Sequence, residues 1–175
     1  MHVRPVANDH ELEQILALQR ANLAPALSAD ESAAQGFLTV VHDLPLLRRM
    51  HAIAPSIVAI DGDVLAGYAL VLPVDCRELV PVLAPMFDRL DRLGATRYYI
   101  MGQVCVAKPY RGRGVFDALY AAHREHLSAG YERCITEVAT RNTRSMRAHE
   151  RVGFRVLDTY TDATDEWVLV SWDWR

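Results

Sequence analysis

The stretch VCVAKPYRGRGVFDALY, residues 104–120, carries the pattern on which the fold and the site of this chain are predicted. An apolar strand pattern runs through a turn with two glycines directly into a helical pattern. Gly112 and Gly114 let the backbone approach a ligand closely, and the first N–H groups of the following helix lack intrahelical partners. Because the helix dipole adds positive potential there, the turn predicts a phosphate or diphosphate site, with Arg111 and Arg113 beside it.

Two common phosphate-binding motifs do not fit this turn. A nucleotide P-loop continues with Gly-Lys-Ser/Thr, whereas Val115 and Phe116 follow the second glycine here. A dinucleotide-binding fold carries GxGxxG with an acidic residue about 20 positions later, and that pattern is not found. The turn therefore predicts an anion site of another class.

Two motifs in the C-terminal half resemble the GNAT superfamily of N-acetyltransferases. The turn is similar to that family's acyl-CoA motif, Arg/Gln-x-x-Gly-x-Gly/Ala, through Arg111 and Gly114, although Phe116 stands where a small residue is usual. The segment NTRSMRAHERVGF, residues 142–154, resembles Asn-x-x-Ala-x-x-x-Tyr-Glu-x-x-Gly-Phe, with His149 in place of the tyrosine. Two motifs in the right order are more specific than either one alone.

The resemblance implies a single N-acetyltransferase-like domain over residues 1–175, with a motif-bearing core at 98–160. The implied fold is α+β, with a central, twisted, mostly antiparallel sheet of six to seven strands and helices on both faces. The implied reaction moves an acetyl group from acetyl-CoA, a co-substrate, to a primary amine that attacks the thioester directly. An acyl-CoA-binding sensor domain without turnover is the alternative, because Phe116 and His149 depart from the family pattern.

The resemblance also assigns the cofactor site residue by residue. The backbone of the strand is expected to pair with the pantetheine, much as an added strand pairs with a sheet edge. The amides of the turn are expected to hold the diphosphate. The expected cofactor-binding residues are Val104, Cys105, Val106, Arg111, Gly112, Arg113, Gly114, Val115, Phe116 and Asn142.

The resemblance and the proton demands of the reaction together point to two candidate catalytic residues. An alkylamine with a pKa of about 10 is protonated at pH 7, and the departing thiolate has a pKa near 8.5, so the reaction benefits from a base and an acid. Glu137, five residues before Asn142, is the candidate base, with an ion pair to a local arginine as the alternative. His149, two helical turns after Asn142, is the candidate acid, with a backbone hydrogen bond as the alternative.

Charge and hydropathy narrow the choice of partners. Residues 108–151 carry nine Lys/Arg against five Asp/Glu, whereas the rest of the chain carries ten against seventeen. An acidic protein with one basic segment favours a small anion over nucleic acid. No run approaches the roughly 20 apolar residues of a membrane span, and the first ten residues lack an apolar signal core. We therefore expect a cytoplasmic protein with no membrane partner.

Metal binding and disulfides are not expected, since the three cysteines are far apart and form no CxxC pair. The acceptor is expected to be an amine on a small molecule or a peptide, which no motif identifies further. Exposed edges of the sheet leave room for a homodimer.

Patterns elsewhere in the chain predict the remaining elements. Ser28 and Glu31 form a capping pattern before a second helix over roughly 30–42. The residues Asp-Gly-Asp at 61–63, between two apolar runs, predict a β-hairpin. Two prolines predict a broken or short helix within 77–93. Hairpins early in the chain and strand–helix alternation later predict an α+β or mixed-sheet domain with helices on both faces.

Overall fold

A seven-stranded mixed sheet forms the centre of the molecule in the computed structural model, which describes residues 1–28, 30 and 36–174. The strands within these residues are β1 (His2–Pro5), β2 (Ile57–Asp61), β3 (Val64–Pro73), β4 (Tyr98–Val106), β5 (Arg133–Ala139), β6 (Arg155–Thr161) and β7 (Glu166–Asp173). They lie in the order β1-β2-β3-β4-β5-β7-β6, and only β4 and β5 run parallel. The mostly antiparallel sheet expected from the sequence is confirmed.

Helices cover both faces of this sheet, as expected. Five α-helices lie wholly within the described residues: α1 (Asp9–Arg20), α2 (Leu44–Ile53), α3 (Ala84–Arg92), α4 (Val115–Leu127) and α5 (Thr143–Val152). Helices α1, α2 and α3 pack on what we call the first face, through residues such as Leu16, Leu47 and Phe87. Helices α4 and α5 pack on the second face, through residues such as Leu119 and Met146.

Local signals explain most of the turns and helix ends. The predicted hairpin is present between β2 and β3, where Gly62 adopts a φ of +62°. Residues 77–93, all of which the structure describes, contain one α-helix, α3. Two short 3-10 turns, Val74–Leu79 and Pro81–Leu83, precede it. The broken helix predicted from the prolines is therefore confirmed.

The helix predicted over roughly 30–42 is wrong for residues 36–42, which are not helical; residues 29 and 31–35 lie outside the described residues. Tertiary hydrogen bonds replace the helical ones. Leu38 N–H donates to the Asn22 carbonyl at 2.9 Å, and the Leu38 carbonyl accepts from the amide of Ala24 at 3.0 Å. The capping pattern is a local signal, and it does not reveal these partners.

A buried polar network holds this segment against the sheet. Gln19 on α1 donates to Gln103 on β4 at 2.9 Å and bonds the ring and the backbone N–H of His42, at 2.8 and 2.9 Å. Tyr68 on β3 donates to the same Gln103 oxygen at 2.6 Å, and Gln103 donates to the Val40 carbonyl at 2.9 Å. Each of these buried side chains is satisfied, which fixes residues 38–42 beside the end of β4.

Strands β4 and β5 are paired over a short distance and then separate. Their register covers only Tyr98↔Arg133, Tyr99↔Cys134 and Ile100↔Ile135. At the next position the Thr136 hydroxyl, not a backbone amide, donates to the Met101 carbonyl at 2.8 Å. Beyond that point β4 stays with β3 and β5 stays with β7, so the sheet opens into a cleft between them.

Gly67 tests how tightly the wall of this cleft is packed. A Cβ at Gly67 lies 2.9 Å from the Cys105 carbonyl oxygen and 3.2 Å from Val115, so β3, β4 and α4 have to shift. We expect Gly67→Ala to lower the free energy of unfolding by about 1–3 kcal/mol, as overpacking does. The measurement is denaturant unfolding, with Gly130→Ala as the matched control because its Cβ approaches nothing closer than 3.9 Å. Equal stability of the two variants contradicts the prediction.

Candidate active site

Where β5 turns away from β4 lies a cleft of about 740 Å³, which is lined by the end of β4, the turn and first residues of α4, residues 36–38 and one side of α5. Nine of the ten residues expected to bind a cofactor line it: Val104, Cys105, Val106, Arg111, Gly112, Gly114, Val115, Phe116 and Asn142. Arg113 does not line it; this side chain is exposed, with its guanidinium 5.7 Å from the centre of the Tyr110 ring. The geometry brings the predicted residues together, and their role in binding stays a prediction.

The turn before α4 presents free backbone amides to the cleft. Gly112 and Gly114 have φ values of +73° and +77°, which favour glycine, and no atom lies within 4 Å of an added Cβ at either position. Across the described part of the chain, the N–H groups of residues 112–117 make no backbone hydrogen bond, and Gly114 provides no side-chain cap. These amides and the helix dipole together suit an anion.

The Arg111 side chain has a structural role in addition to its charge. Its Nε donates to the Val106 carbonyl at 3.1 Å, and an Nη donates to the Asn22 side-chain oxygen at 2.6 Å. The guanidinium therefore ties the end of β4 to the residues after α1 while it lines the cleft.

The Asn142 side chain is also engaged within the protein. Its Oδ1 accepts from the Ser145 amide at 3.3 Å, which caps α5, and its Nδ2 donates to the Phe37 carbonyl at 3.2 Å. The Arg141 guanidinium lies 4.3 Å from the centre of the Phe37 ring. Residues 36–38 thus cross from the end of α1 to the start of α5 and form one wall of the cleft.

The Phe116 ring packs against α5 and against the second turn of its own helix. Its ring centre lies 5.3 Å from that of His149 and 5.1 Å from that of Tyr120. The ring fills space between α4 and α5 while it lines the cleft. The bulky residue at this position is therefore accommodated by packing against the histidine that replaces the family's tyrosine.

His149 is buried, with 1% of its surface exposed. Its Nδ1 lies 2.8 Å from the Ser145 carbonyl, which can only accept, so Nδ1 carries the hydrogen and Nε2 accepts from the Tyr120 hydroxyl at 2.7 Å. Burial lowers the pKa of His149 to about 4, against the opposing effect of the Ser145 carbonyl. The ring is neutral near pH 7 with both nitrogens engaged, so the geometry does not support the direct acid role expected from the sequence.

Glu137 lies on the first face, opposite Leu169 of β7. Its Oε2 accepts a short hydrogen bond from the Tyr160 hydroxyl of β6. Burial raises the pKa of Glu137 to about 7; the Tyr160 bond opposes this shift and the nearby Asp162 charge adds to it. Glu137 makes no ion pair with any described residue, so the arginine pairing weighed as an alternative is not observed.

The two candidate catalytic residues are therefore on opposite faces of the sheet. Glu137 belongs to the first face, whereas His149 packs among aromatic rings on the second. Three residues of the site were not predicted from the sequence. Thr136 bonds the Met101 carbonyl where β4 and β5 separate, Tyr160 bonds the Glu137 carboxyl, and Phe37 lines the cleft. The polar Thr136 within an apolar strand was a usable signal, but the other two had none.

No group of three His, Cys, Asp or Glu side chains among the described residues could hold a metal ion. No helix in the same part of the chain is long and apolar enough to cross a membrane. All three cysteines are buried and free.

The bond between His149 and Tyr120 can be tested by a double-mutant cycle. His149→Leu leaves the buried Tyr120 hydroxyl without its acceptor, so we expect a loss of about 1–3 kcal/mol in the free energy of unfolding. The double variant His149→Leu/Tyr120→Phe removes both partners and is expected to lose less than the sum of the single variants. If His149→Leu keeps wild-type stability and removes an ionisation from the pH dependence of catalysis, the acid role is supported instead.

The comparisons with known proteins agree with this geometry. The family model described as the Acetyltransferase (GNAT) family matches residues 21–154, and no curated protein sequence matches the chain. A ribosomal-protein-alanine N-acetyltransferase from Brucella melitensis superposes with a TM-score of 0.69 at 18% identity, covering 99% of this chain and 100% of that one. A polyamine N-acetyltransferase from Drosophila melanogaster gives 0.69 at 16% identity, covering 99% of each chain.

A third structure, the NatC complex bound to Gag peptide and CoA, superposes with a TM-score of 0.69 at 14% identity and covers 99% of this chain and 98% of that one. At these identities the similarity of the structures shows the fold, while the family model spans more than half of the sequence. The chain belongs to the GNAT family of acetyltransferases.

Proposed function

We propose that this protein transfers an acetyl group from acetyl-CoA to a primary amine, which attacks the thioester directly. The observation that carries the proposal is the cleft where β4 and β5 separate, because it ends at the free amides of residues 112–117. The unpaired edge of β4 suits the amide-bearing pantetheine arm of CoA, as a sheet edge suits an added strand. The anion site at the end of that strand suits the diphosphate of CoA.

The residues that would hold this substrate follow from the geometry. The backbone of Val104–Val106, which lies beyond the paired part of β4 and β5, would pair with the pantetheine. The amides of residues 112–117 would hold the diphosphate, and Arg111 would add positive charge while it fixes the end of β4. Asn142 would keep its cap on α5 and offer its amide group at the cleft wall.

Glu137 is the base in this proposal. The amine nitrogen bonds to the acetyl carbon, the carbon–sulfur bond breaks with its electron pair going to sulfur, and the amine proton passes to Glu137 directly or through one water molecule. A carboxyl with a pKa of about 7 is half ionised at neutral pH and is a far better base than an ordinary carboxylate. Tyr160 holds the carboxyl in one orientation through its hydroxyl.

The departing thiolate takes its proton from water in this proposal, not from His149. The imidazole is neutral and buried, and its one N–H bonds the Ser145 carbonyl, so it does not act as an acid at neutral pH. We assign His149 a positioning role, in which it links Tyr120 of α4 to the first turn of α5. This link keeps the two helix starts that bound the cleft at a fixed separation.

The acceptor is an amine on a small molecule or a peptide. The neighbours named above acetylate a protein alanine or a polyamine, and one is a complex bound to a peptide. The carboxyls of Glu137 and Asp162 form no ion pair with an arginine among the described residues, and we place the amine beside them, where an ammonium group would meet favourable charge.

The direct test is release of free CoA thiol from acetyl-CoA in the presence of a polyamine, agmatine or a peptide that begins with alanine. The three cysteines of the chain are buried, so they contribute little to a thiol-reagent signal. We expect amine-dependent thiol release with an acetylated amine seen by mass spectrometry. Tight acetyl-CoA binding with no thiol release from any of these amines would favour the sensor alternative.

The role of Glu137 can be tested through the pH dependence of kcat/KM. The wild-type value is expected to rise with pH through about 7, since the base has to be ionised, and again near 10 as the free amine becomes unprotonated. We expect Glu137→Gln to lower kcat/KM by about 10²–10⁴-fold and to remove the lower inflection. Glu125→Gln, an exposed carboxyl on α4, is the control, and an unaltered profile in Glu137→Gln excludes Glu137 as the base.

A further inference from the structure

Helix α5 presents a row of arginines along one wall of the cleft. Arg144, Arg147 and Arg151 are spaced i, i+3 and i+7, which places them on one side of the helix, and all three line the cleft. Arg151 is neutralised by Asp117 of α4 at 2.9 Å. Arg144 and Arg147 are exposed and make no hydrogen bond or ion pair with any residue that the structure describes.

These two arginines work against the stability of the helix that carries them. Arg144 is the second residue of α5, where the helix dipole disfavours a positive charge. The like charge of Arg147, one helical turn later, repels the Arg144 guanidinium. Neither guanidinium forms an ion pair with an acidic side chain among the described residues, and Glu150, one turn after Arg147, is not within ion-pair distance of it. An anion placed between the two side chains relieves both effects.

The position of the arginines indicates which anion that is. The turn amides that suit a diphosphate belong to α4, whereas Arg144 and Arg147 stand on α5 at another wall of the same cleft. CoA carries a second phosphate group, the 3′-phosphate monoester on its ribose. A monoester carries about −1.5 to −2 charges at pH 7 and offers three oxygens to the planar forks of arginine.

We propose that Arg144 and Arg147 form a subsite for the 3′-phosphate of CoA, so that the protein distinguishes CoA from 3′-dephospho-CoA. The inference rests on the proposed function, because it requires CoA in this cleft. Arg111 is held by Val106 and Asn22, and Arg151 is held by Asp117, which leaves Arg144 and Arg147 as the cleft-lining guanidiniums that are free to reach the monoester.

The test is calorimetric titration of CoA and 3′-dephospho-CoA into the full-length protein at low ionic strength. We expect the wild-type protein to bind CoA about 10- to 100-fold more tightly than 3′-dephospho-CoA, the range of one or two charge-assisted hydrogen bonds. In Arg144→Gln/Arg147→Gln the Kd for CoA should rise to that for 3′-dephospho-CoA, whose own Kd should stay unchanged. The preference should also shrink as salt is added.

The control variant Arg49→Gln/Arg124→Gln removes the same charge from exposed arginines outside the cleft and should keep the wild-type preference. Equal weakening of both ligands by Arg144→Gln/Arg147→Gln overturns the inference, because the arginines then contact the diphosphate. Equal binding of both ligands by the wild-type protein overturns it as well, while the proposed function stands. Failure of the wild-type protein to bind either ligand overturns both proposals.

Discussion

The parallel pairing of β4 and β5 stops after three residue pairs, and the rest of the site depends on that interruption. The Thr136 hydroxyl holds the Met101 carbonyl where the ladder ends, and the outer neighbours of the two strands then draw them apart. Helix α4 follows β4 and helix α5 follows β5, so both helices begin beside the gap. The turn amides, the arginine row and the Asn142 cap therefore meet at one cleft without any long-range loop to bring them together.

The sheet also separates two kinds of chemistry. The groups suited to phosphates lie with α4 and α5 on the second face, where the cleft lining carries four arginines and one aspartate. The ionisable carboxyl of Glu137 lies with Tyr160 on the first face, where burial raises its pKa to about 7. A substrate that passes between the strands can thus be held by its anionic end on one side and react on the other. Apart from Asp117, which pairs with Arg151, the carboxylates are kept away from the arginines of the cleft, so Glu137 and these cations do not neutralise one another.

The sequence was sufficient wherever function depends on the backbone of a short segment. The turn at Gly112 and Gly114 and the hairpin at Gly62 follow from the conformations that those residues allow, and both lie where they were predicted. The helix over roughly 30–42 failed for residues 36–42, because their hydrogen bonds go to Asn22, Gln19 and Gln103, far away in sequence. The protonation state of His149 could not be predicted from the sequence either, because it depends on burial of the imidazole among the rings of Phe116, Tyr120 and Phe154. For Glu137 the residue could be named from the sequence, whereas its partner Tyr160 lies 23 residues later on another strand.

Hydrogen exchange of the backbone amides, measured by mass spectrometry with and without acetyl-CoA, tests the central claim most directly. The free amides of residues 112–117 exchange readily in the unliganded protein if they have no partner, and binding of the diphosphate to them has to slow that exchange. The account predicts protection confined to peptides that cover residues 103–117 and the start of α5, with no change in α1 or β2. Saturating acetyl-CoA that leaves residues 103–117 unprotected, or that protects another surface, contradicts it.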